Sequence, residues 1–162
     1  MRFSTMSSHR QRGMALLVSL VFLLLLTLIG ISSMQNATLQ EKMAGSVTLR
    51  NQAFQSAEAA LRIGESAVQV DTYTLPVCSG TSQCLPPAES SSITAAGFNS
   101  TSGVTWIAAG NGFYGVQNIG TTLTAVNVPS NTSATLYRVT AVGFPGTSRN
   151  SRSVVESIYA KY

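Results

Sequence analysis

An uninterrupted apolar run from Met14 to Met34 limits most strongly what this chain can fold into. No charged residue occurs between Arg12 and Glu41, and thirteen side chains of the run are Leu, Ile, Val or Phe. At about 0.3 to 0.6 kcal/mol each, these side chains favour insertion into a bilayer by roughly 4 to 8 kcal/mol. A membrane-spanning helix needs about 20 such residues, so the run predicts one.

Charges on the two sides of the run predict its orientation. Arg2, Arg10 and Arg12 precede it, whereas Glu41 and Lys42 follow it and nearly cancel. The positive-inside rule places the N-terminus in the cytoplasm and the remaining chain on the exported side. A cleaved secretory signal peptide is the alternative, but no A-x-A site follows, and the run exceeds the usual length of about 7 to 15 residues. The pattern favours an uncleaved signal anchor.

The composition excludes several classes of function. Three of the ten Lys and Arg residues precede the run, so the remaining seven face six acids and form no basic patch for nucleic acid. The only histidine, His9, and the only aspartate, Asp71, lie on opposite sides of the run, which excludes a catalytic triad within one compartment. Two cysteines and scattered single acids predict no metal site. We expect no catalytic residue, no cofactor and no nucleic-acid partner.

The helical pattern continues beyond the apolar run. An apolar stripe with spacings of three and four residues follows, and no proline occurs between Met14 and Leu75. We therefore predict one helix that ends near Val70, whose second half must be covered by the rest of the chain. The predicted packing stripe consists of Phe54, Ala57, Leu61, Gly64 and Val68.

The segment after the helix is typical of antiparallel β structure. Asn111-Gly112 is a strong hairpin signal, and Pro145-Gly146 predicts a second turn. An antiparallel sheet that covers the helical stripe gives an α+β fold with a long N-terminal helix. The predicted strands are Val104–Ala109, Phe113–Ile119, Thr122–Val128, Ala134–Phe144 and Ser153–Ala160.

Cys78 and Cys84 lie on the exported side, where disulfides persist, and we expect them to be paired. A loop this short stabilises the fold by less than the roughly 3 kcal/mol of a loop of about 15 residues, so it would mainly pin the connection from helix to sheet. Free thiols or an intermolecular bridge are the alternatives. We expect Arg149, Arg152 and Lys161 to be solvated at one end of the last hairpin.

The N-terminal residues also resemble a known family. Arg12-Gly13-Met14 followed by the apolar run resembles the class III signal of a type IV prepilin. Thr38–Gly45 and Ala53–Arg62 extend the likeness to the PilX-type minor pilins, up to about residue 65. The resemblance implies that a prepilin peptidase cuts between Gly13 and Met14 and methylates the new amine. It also implies a pilin-like fold, in which the helix packs on the sheet.

Val18 departs from the general pattern of the pilins that the chain resembles. The fifth residue after the cut is usually a glutamate, which is thought to pair with the N-terminal amine of the preceding subunit. A subunit with valine there cannot neutralise a predecessor, so the resemblance and this absence point to the pilus tip. The alternative is that Val18 is an ordinary lipid-facing side chain.

These inferences divide the chain into four segments. We expect a leader peptide at 1–13, the transmembrane part of the helix at 14–34, the periplasmic half of the helix at 35–70, and a disulfide-containing β domain at 71–162. The predicted location is the inner membrane, with the N-terminus cytoplasmic and the C-terminal domain periplasmic, and then the pilus fibre on the cell surface.

The predicted function is that of a non-enzymatic minor pilin. It would prime type IV pilus assembly at or near the tip and support twitching motility and adhesion. The predicted partners are the inner membrane, the prepilin peptidase, other minor pilins and the major pilin, with a tip adhesin as a further candidate. The alternatives are a signal-anchored periplasmic binding or scaffold protein and a type II secretion pseudopilin.

Overall fold

The structure is a computed structural model that describes residues 11–146 and 149–162. Residues 1–10 of the predicted leader lie outside the described residues. The chain forms an α+β fold in which a long helix packs on an antiparallel sheet, as predicted. The elements are α1 (Gln11–Gln69), α2 (Gly80–Cys84), a 3-10 helix (Ala88–Ser91), β1 (Gly97–Phe98), β2 (Thr105–Ala109), β3 (Gly112–Thr122), β4 (Ala134–Gly143) and β5 (Ser153–Lys161).

Helix α1 is continuous, as the absence of proline predicts. The chain divides into two compact units within this helix, one ending at Gly45 and the other comprising Ser46–Tyr162. In the first unit the apolar side chains of the run are exposed. By length and composition, α1 is the one described helix that is apolar enough to cross a membrane, with a mean hydropathy of 2.9 in its most apolar window.

The five strands form one antiparallel sheet in the order β1-β2-β3-β4-β5, so each strand pairs with its neighbour in the sequence. The predicted first hairpin joins β2 and β3, with Ala109 opposite Gly112. The two loop residues are therefore Gly110 and Asn111, one position before the predicted Asn-Gly pair. Gly110 has a φ of 56°, which suits glycine at the first central position of a tight hairpin turn.

The predicted strand Thr122–Val128 is wrong. Strand β3 itself extends to Thr122, and residues 123–133 form a loop in which Leu123 and Val126 are exposed. Asn127 and Asn131 have φ values of 63° and 64°, a conformation that strands do not use and that Asn tolerates better than most residues. The last two predicted strands are confirmed as β4 and β5.

A row of small residues on the second half of α1 packs against the sheet. Ala53, Ala57 and Ala60 are fully buried, whereas Phe54 is 51% exposed, so the prediction that Phe54 belongs to the packed face is wrong. The physical reason is the close approach of Gly143 in β4. A Cβ atom at Gly143 would lie 2.1 Å from the backbone nitrogen of Ala57 and 2.4 Å from the carbonyl oxygen of Ala53.

The other face of the sheet has its own apolar cluster. Trp106, Phe113 and Phe144 form it together with two buried valines, and the half-buried Ile93 packs against it. Ile93 follows the 3-10 helix, so the segment between α2 and β2 covers this face. The sheet therefore packs against α1 on one face and against a loop segment on the other.

Candidate assembly surfaces

The residues of the predicted processing signal lie in the first unit, on α1. The helix runs without a break through the bond between Gly13 and Met14. A Cβ atom at Gly13 would have no atom of the described chain within 4 Å, so the local structure does not itself require glycine there.

Val18 lies one helical turn after Met14, on the same side of α1. Its side chain is 47% exposed, and Met14 is exposed as well. Between Met14 and Gln40 the sequence supplies no acidic side chain, so an amine at Met14 has no intramolecular carboxylate nearby on α1. The side of α1 that carries Met14 and Val18 is therefore uncharged along the apolar run.

The predicted packing stripe is only partly brought together in the second unit. Ala57, Gly64 and Val68 are buried, Leu61 is half-buried, and Phe54 is exposed. At Gly64, a Cβ atom would lie 2.7 Å from Val139 Cγ1 and 2.8 Å from Tyr114 Cδ2. Tyr114 and Val139 come from adjacent strands, so α1 packs closely on β3 and β4 at Gly64.

Lys161 is not at the end of the last hairpin where the sequence predicts it. Its ammonium group donates to the backbone carbonyls of Val70, Asp71 and Tyr73, which directly follow α1. Lys161 therefore joins the last residues of β5 to the segment that directly follows α1.

The predicted pairing of Cys78 and Cys84 is confirmed, and the two cysteines form a disulfide. Side chains of the sheet hold the segment that carries it. Gln117 Nε2 donates to the carbonyls of Gln83 (2.6 Å) and Leu85 (3.1 Å), and Arg138 Nη1 donates to the carbonyl of Cys84 (2.7 Å). The disulfide loop is thus fixed to β3 and β4 by hydrogen bonds as well as by the covalent bond.

Arg138 also forms an ion pair with a residue of the neighbouring strand. Its Nε atom lies 3.1 Å from Glu156 Oε1 of β5, and its side chain is only 13% exposed. The sequence pattern places Arg138 on an alternating strand but gives no sign that it reaches the disulfide loop. Residues 84 and 138 are far apart in the sequence, so no local pattern predicts the hydrogen bond between Arg138 and the carbonyl of Cys84.

Glu89 anchors the segment that covers the second face of the sheet. Its carboxylate accepts hydrogen bonds from Trp106 Nε1 (3.1 Å) and from Ser102 Oγ. Sequence reasoning missed this role, although one signal was present, because Glu89 is the only charged residue between Thr72 and Tyr137. A lone acid in an uncharged stretch needs donors of its own when it is partly buried.

Tyr73 lies between the end of α1 and the sheet. Its ring packs edge-to-face against Tyr137, with 5.7 Å between the ring centres. Burial raises the pKa of Tyr73 to about 12, and nearby Tyr114 and Tyr137 act in the same direction. The hydroxyl therefore stays protonated throughout the physiological range, and Tyr73 serves as a neutral packing residue.

Arg149 and Arg152 lie beside the aromatic cluster, at the turn between β4 and β5. Arg149 Cζ is 5.4 Å from the ring centres of both Phe113 and Phe144, and Arg152 Cζ is 5.4 Å from that of Phe144. Such distances are those of cation–π contacts. The sequence interpretation of these two arginines as merely solvated therefore missed a specific arrangement.

Within residues 11–146 and 149–162, no three side chains of His, Cys, Asp or Glu come together in a way that could hold a metal ion.

Comparison with known proteins bears on α1. Residues 12–62 match the family model described as PilX N-terminal. The match crosses the boundary between the two compact units at Gly45, so it includes both the apolar run and the part of α1 that packs on the sheet. No curated protein and no solved structure matches the chain significantly.

Proposed function

We propose that the chain is a minor pilin that primes pilus assembly at or near the tip, because residues 12–62 match the family model described as PilX N-terminal. The observation that carries the proposal is the single uninterrupted helix from Gln11 to Gln69. Its first part exposes an apolar surface, and its second part supports a folded domain. A subunit that is held in a membrane and then built into a fibre needs both parts.

The exposed apolar side chains of the first unit support insertion and subunit packing. Soluble monomers rarely expose apolar patches larger than a few hundred Å². Here the apolar run is unburied along its whole length. Lipid would cover it in the inner membrane, and the stalks of neighbouring pilins would cover it in the fibre.

Processing between Gly13 and Met14 is the step that would release the subunit for assembly. No atom of the described residues would crowd a Cβ at Gly13, so packing within the described chain does not account for glycine there, which supports recognition by the prepilin peptidase. The cut would leave a charged amine at Met14, at the cytoplasmic end of the apolar run. Methylation of that amine belongs to the same proposal.

Val18 supports a position at the tip. A carboxylate in lipid costs several kcal/mol unless it is paired, so pilins that keep one there have a use for it. With valine at this place, the subunit offers no partner to the amine of a subunit above it. A subunit without a predecessor needs no such partner, which is the situation of the first subunits in a fibre.

The exported domain would contact other subunits and has no proposed catalytic role. Other minor pilins, the major pilin and a tip adhesin are the partners that the proposal assigns to it. Twitching motility and adhesion would depend on the chain indirectly, because both need assembled pili.

Deletion of the gene, with complementation by defined variants, tests the priming role. We expect deletion to reduce sheared surface pili and twitching sharply without changing the cellular level of the major pilin. Unchanged piliation would contradict priming. Loss of protein secretion with intact pili would favour a type II secretion pseudopilin instead.

Gold labelling of a tagged chain on isolated pili tests the tip position. We expect the wild-type label at one fibre end and the Val18→Glu label along the fibre. Val21→Glu is the matched control, because it places a carboxylate in the same apolar run at the wrong position, and we expect no spread of its label. Wild-type label along the whole fibre would contradict the tip position.

A further inference from the structure

The turn between β4 and β5 brings two guanidinium groups to one aromatic cluster. Phe113 and Phe144 are 6% and 2% exposed, and their rings pack edge-to-face with 5.9 Å between the centres. Arg149 Cζ lies 5.4 Å from the centres of both rings, and Arg152 Cζ lies 5.4 Å from the centre of the Phe144 ring, which are distances of cation–π contacts. The rings are fixed by the core, so they hold the arginine side chains in place before any ligand arrives.

The positive charge at this turn is not neutralised within the described residues. The ion pairs of residues 11–146 and 149–162 are those of Arg62 with Glu58 and of Arg138 with Glu156. Arg152 donates to the carbonyl of Ile93 (3.0 Å), and no hydrogen bond to a described residue engages the Arg149 guanidinium. Two unpaired positive charges near one ring attract an anion to this part of the surface.

A small cavity lies next to Arg149 and offers room for a short side chain. Its volume is about 290 Å³, and it is lined by Phe113, Phe144, Ala108 and the backbone of the β2–β3 turn. Its walls are mixed: Phe113, Phe144 and Ala108 are apolar, whereas Asn111, the turn glycines and Arg149 contribute polar atoms. This combination suits an acidic side chain, whose methylene group would contact the rings while its carboxylate meets the arginine.

The same features argue against a polyphosphate or nucleic acid. Binding of such polymers depends on several basic contacts along the backbone. Beyond the leader, cations exceed acids by only one, and Lys161 is engaged with the end of α1. One arginine in a small cavity, with a second on the same phenylalanine ring, matches one or two carboxylates on a folded partner better than a chain of phosphates.

We propose that Arg149 and Arg152, held on Phe113 and Phe144, form a docking site for one or two acidic side chains of a partner protein. Arg149 forms the bidentate contact, and Arg152, tied to the carbonyl of Ile93, adds a second charge. The site lies entirely within the second unit and does not depend on processing at Gly13. Its failure would leave the proposed pilus function untouched, and the reverse also holds.

Nuclear magnetic resonance on the full-length protein in detergent tests the site through the Nε–Hε signals of its arginines. The probes are acetyl-Asp-Ala-Asp-amide and the matched neutral peptide acetyl-Asn-Ala-Asn-amide. We expect the acidic peptide to shift the signals of Arg149 and Arg152 in a saturable manner that weakens with added salt. The neutral peptide should leave both signals in place.

Three variants separate docking from general charge. Arg149→Gln should weaken binding of the acidic peptide at least about fivefold, and Arg149→Lys should weaken it less, because it keeps the charge but loses the planar fork. Arg62→Gln, which removes an exposed arginine elsewhere, should change nothing. An unaltered Trp106 indole signal in each variant shows that the fold is intact.

Several results would overturn the proposal. Equal binding of the acidic and neutral peptides would show that the site does not recognise carboxylates. Undiminished binding of the acidic peptide by Arg149→Gln would show that Arg149 does not form the site. Inorganic phosphate that binds more tightly than the acidic peptide and displaces it would reassign the site to another class of anion.

Discussion

Gly64 of α1 lies so close to Val139 of β4 that a Cβ atom at Gly64 would be only 2.7 Å from Val139 Cγ1. Val139 is fully buried and cannot turn away into solvent. The approach of α1 to the sheet is therefore set by a glycine that the sequence places within a row of alanines. Helical glycine is unfavourable by about 1 kcal/mol relative to alanine, so its presence here is explained by packing.

Gly64→Ala should destabilise the exported domain by up to about 2 kcal/mol. Overpacking a core costs about 1 to 3 kcal/mol, and replacing a helical glycine returns about 1 kcal/mol. Urea unfolding of the full-length protein in detergent, followed by the fluorescence of Trp106, measures the change. Gly45→Ala is the control, because no atom lies within 4 Å of a Cβ there, and it should cause no loss. Equal effects of the two variants would contradict the packing described for α1.

Reduction of the disulfide should lower the free energy of unfolding by about 2 kcal/mol, the value that the chain-entropy relation gives for so short a loop. The loop should nevertheless stay in place, because Gln117 and Arg138 bind its carbonyls. Urea unfolding of the Cys78→Ser/Cys84→Ser variant measures the loss. Amide hydrogen exchange then reports whether residues 79–85 remain protected. Complete loss of their protection would show that the covalent bond alone holds the loop.

Alkaline pH should destabilise the exported domain through Tyr73. The folded pKa of about 12 lies above the ordinary tyrosine value of about 10, so the unfolded chain loses its proton first as the pH rises. The contribution is fully present below about pH 10 and is lost as the pH rises from there toward 12. Urea midpoints between pH 8 and 11.5 should fall more steeply for the wild type than for Tyr73→Phe. Parallel curves for the two proteins would show that Tyr73 is not perturbed.

Glu89→Ala should loosen the segment that covers Trp106. The variant removes the acceptor of both the indole and the Ser102 hydroxyl, so the only tryptophan gains access to water. We expect a red shift of the fluorescence emission and a stability loss of about 1 to 3 kcal/mol, the cost of an unsatisfied buried donor. Glu89→Gln keeps an acceptor oxygen and should lie between the wild type and Glu89→Ala. An unshifted emission in Glu89→Ala would show that apolar contacts alone hold the segment over Trp106.

The parts of this fold with local signals were predictable from the sequence. Helix α1 follows from the apolar spacing and the absence of proline, and the two hairpins follow from alternation beside Asn-Gly and Pro-Gly turns. The disulfide follows from two cysteines on the side that the flanking charges predict to be exported. Each of these signals lies within a short segment, so it can be recognised from a single sequence.

The missed features depend on contacts between distant segments. Phe54 has the hydrophobicity of a packed residue, but Gly143 meets the helix at Ala53 and Ala57, and Phe54 stays exposed. Lys161 looks like a solvated cation until β5 brings it to the end of α1. In the same way, the contact of Arg138 with the carbonyl of Cys84 joins residues 54 positions apart. Hydrophobic spacing and turn residues do not encode such contacts.

The N-terminus of the mature protein is the most direct test of the account. Intact-mass measurement and N-terminal sequencing would be done on protein from the membrane fraction, with and without the prepilin peptidase, and with Gly13→Val as a variant at the junction. The account predicts a chain that begins with methylated Met14, depends on the peptidase and is absent from the Gly13→Val variant. A chain that begins at Met1 in the presence of the peptidase, or one cut beyond Met34, would contradict it and return the protein to the class of anchored or secreted domains.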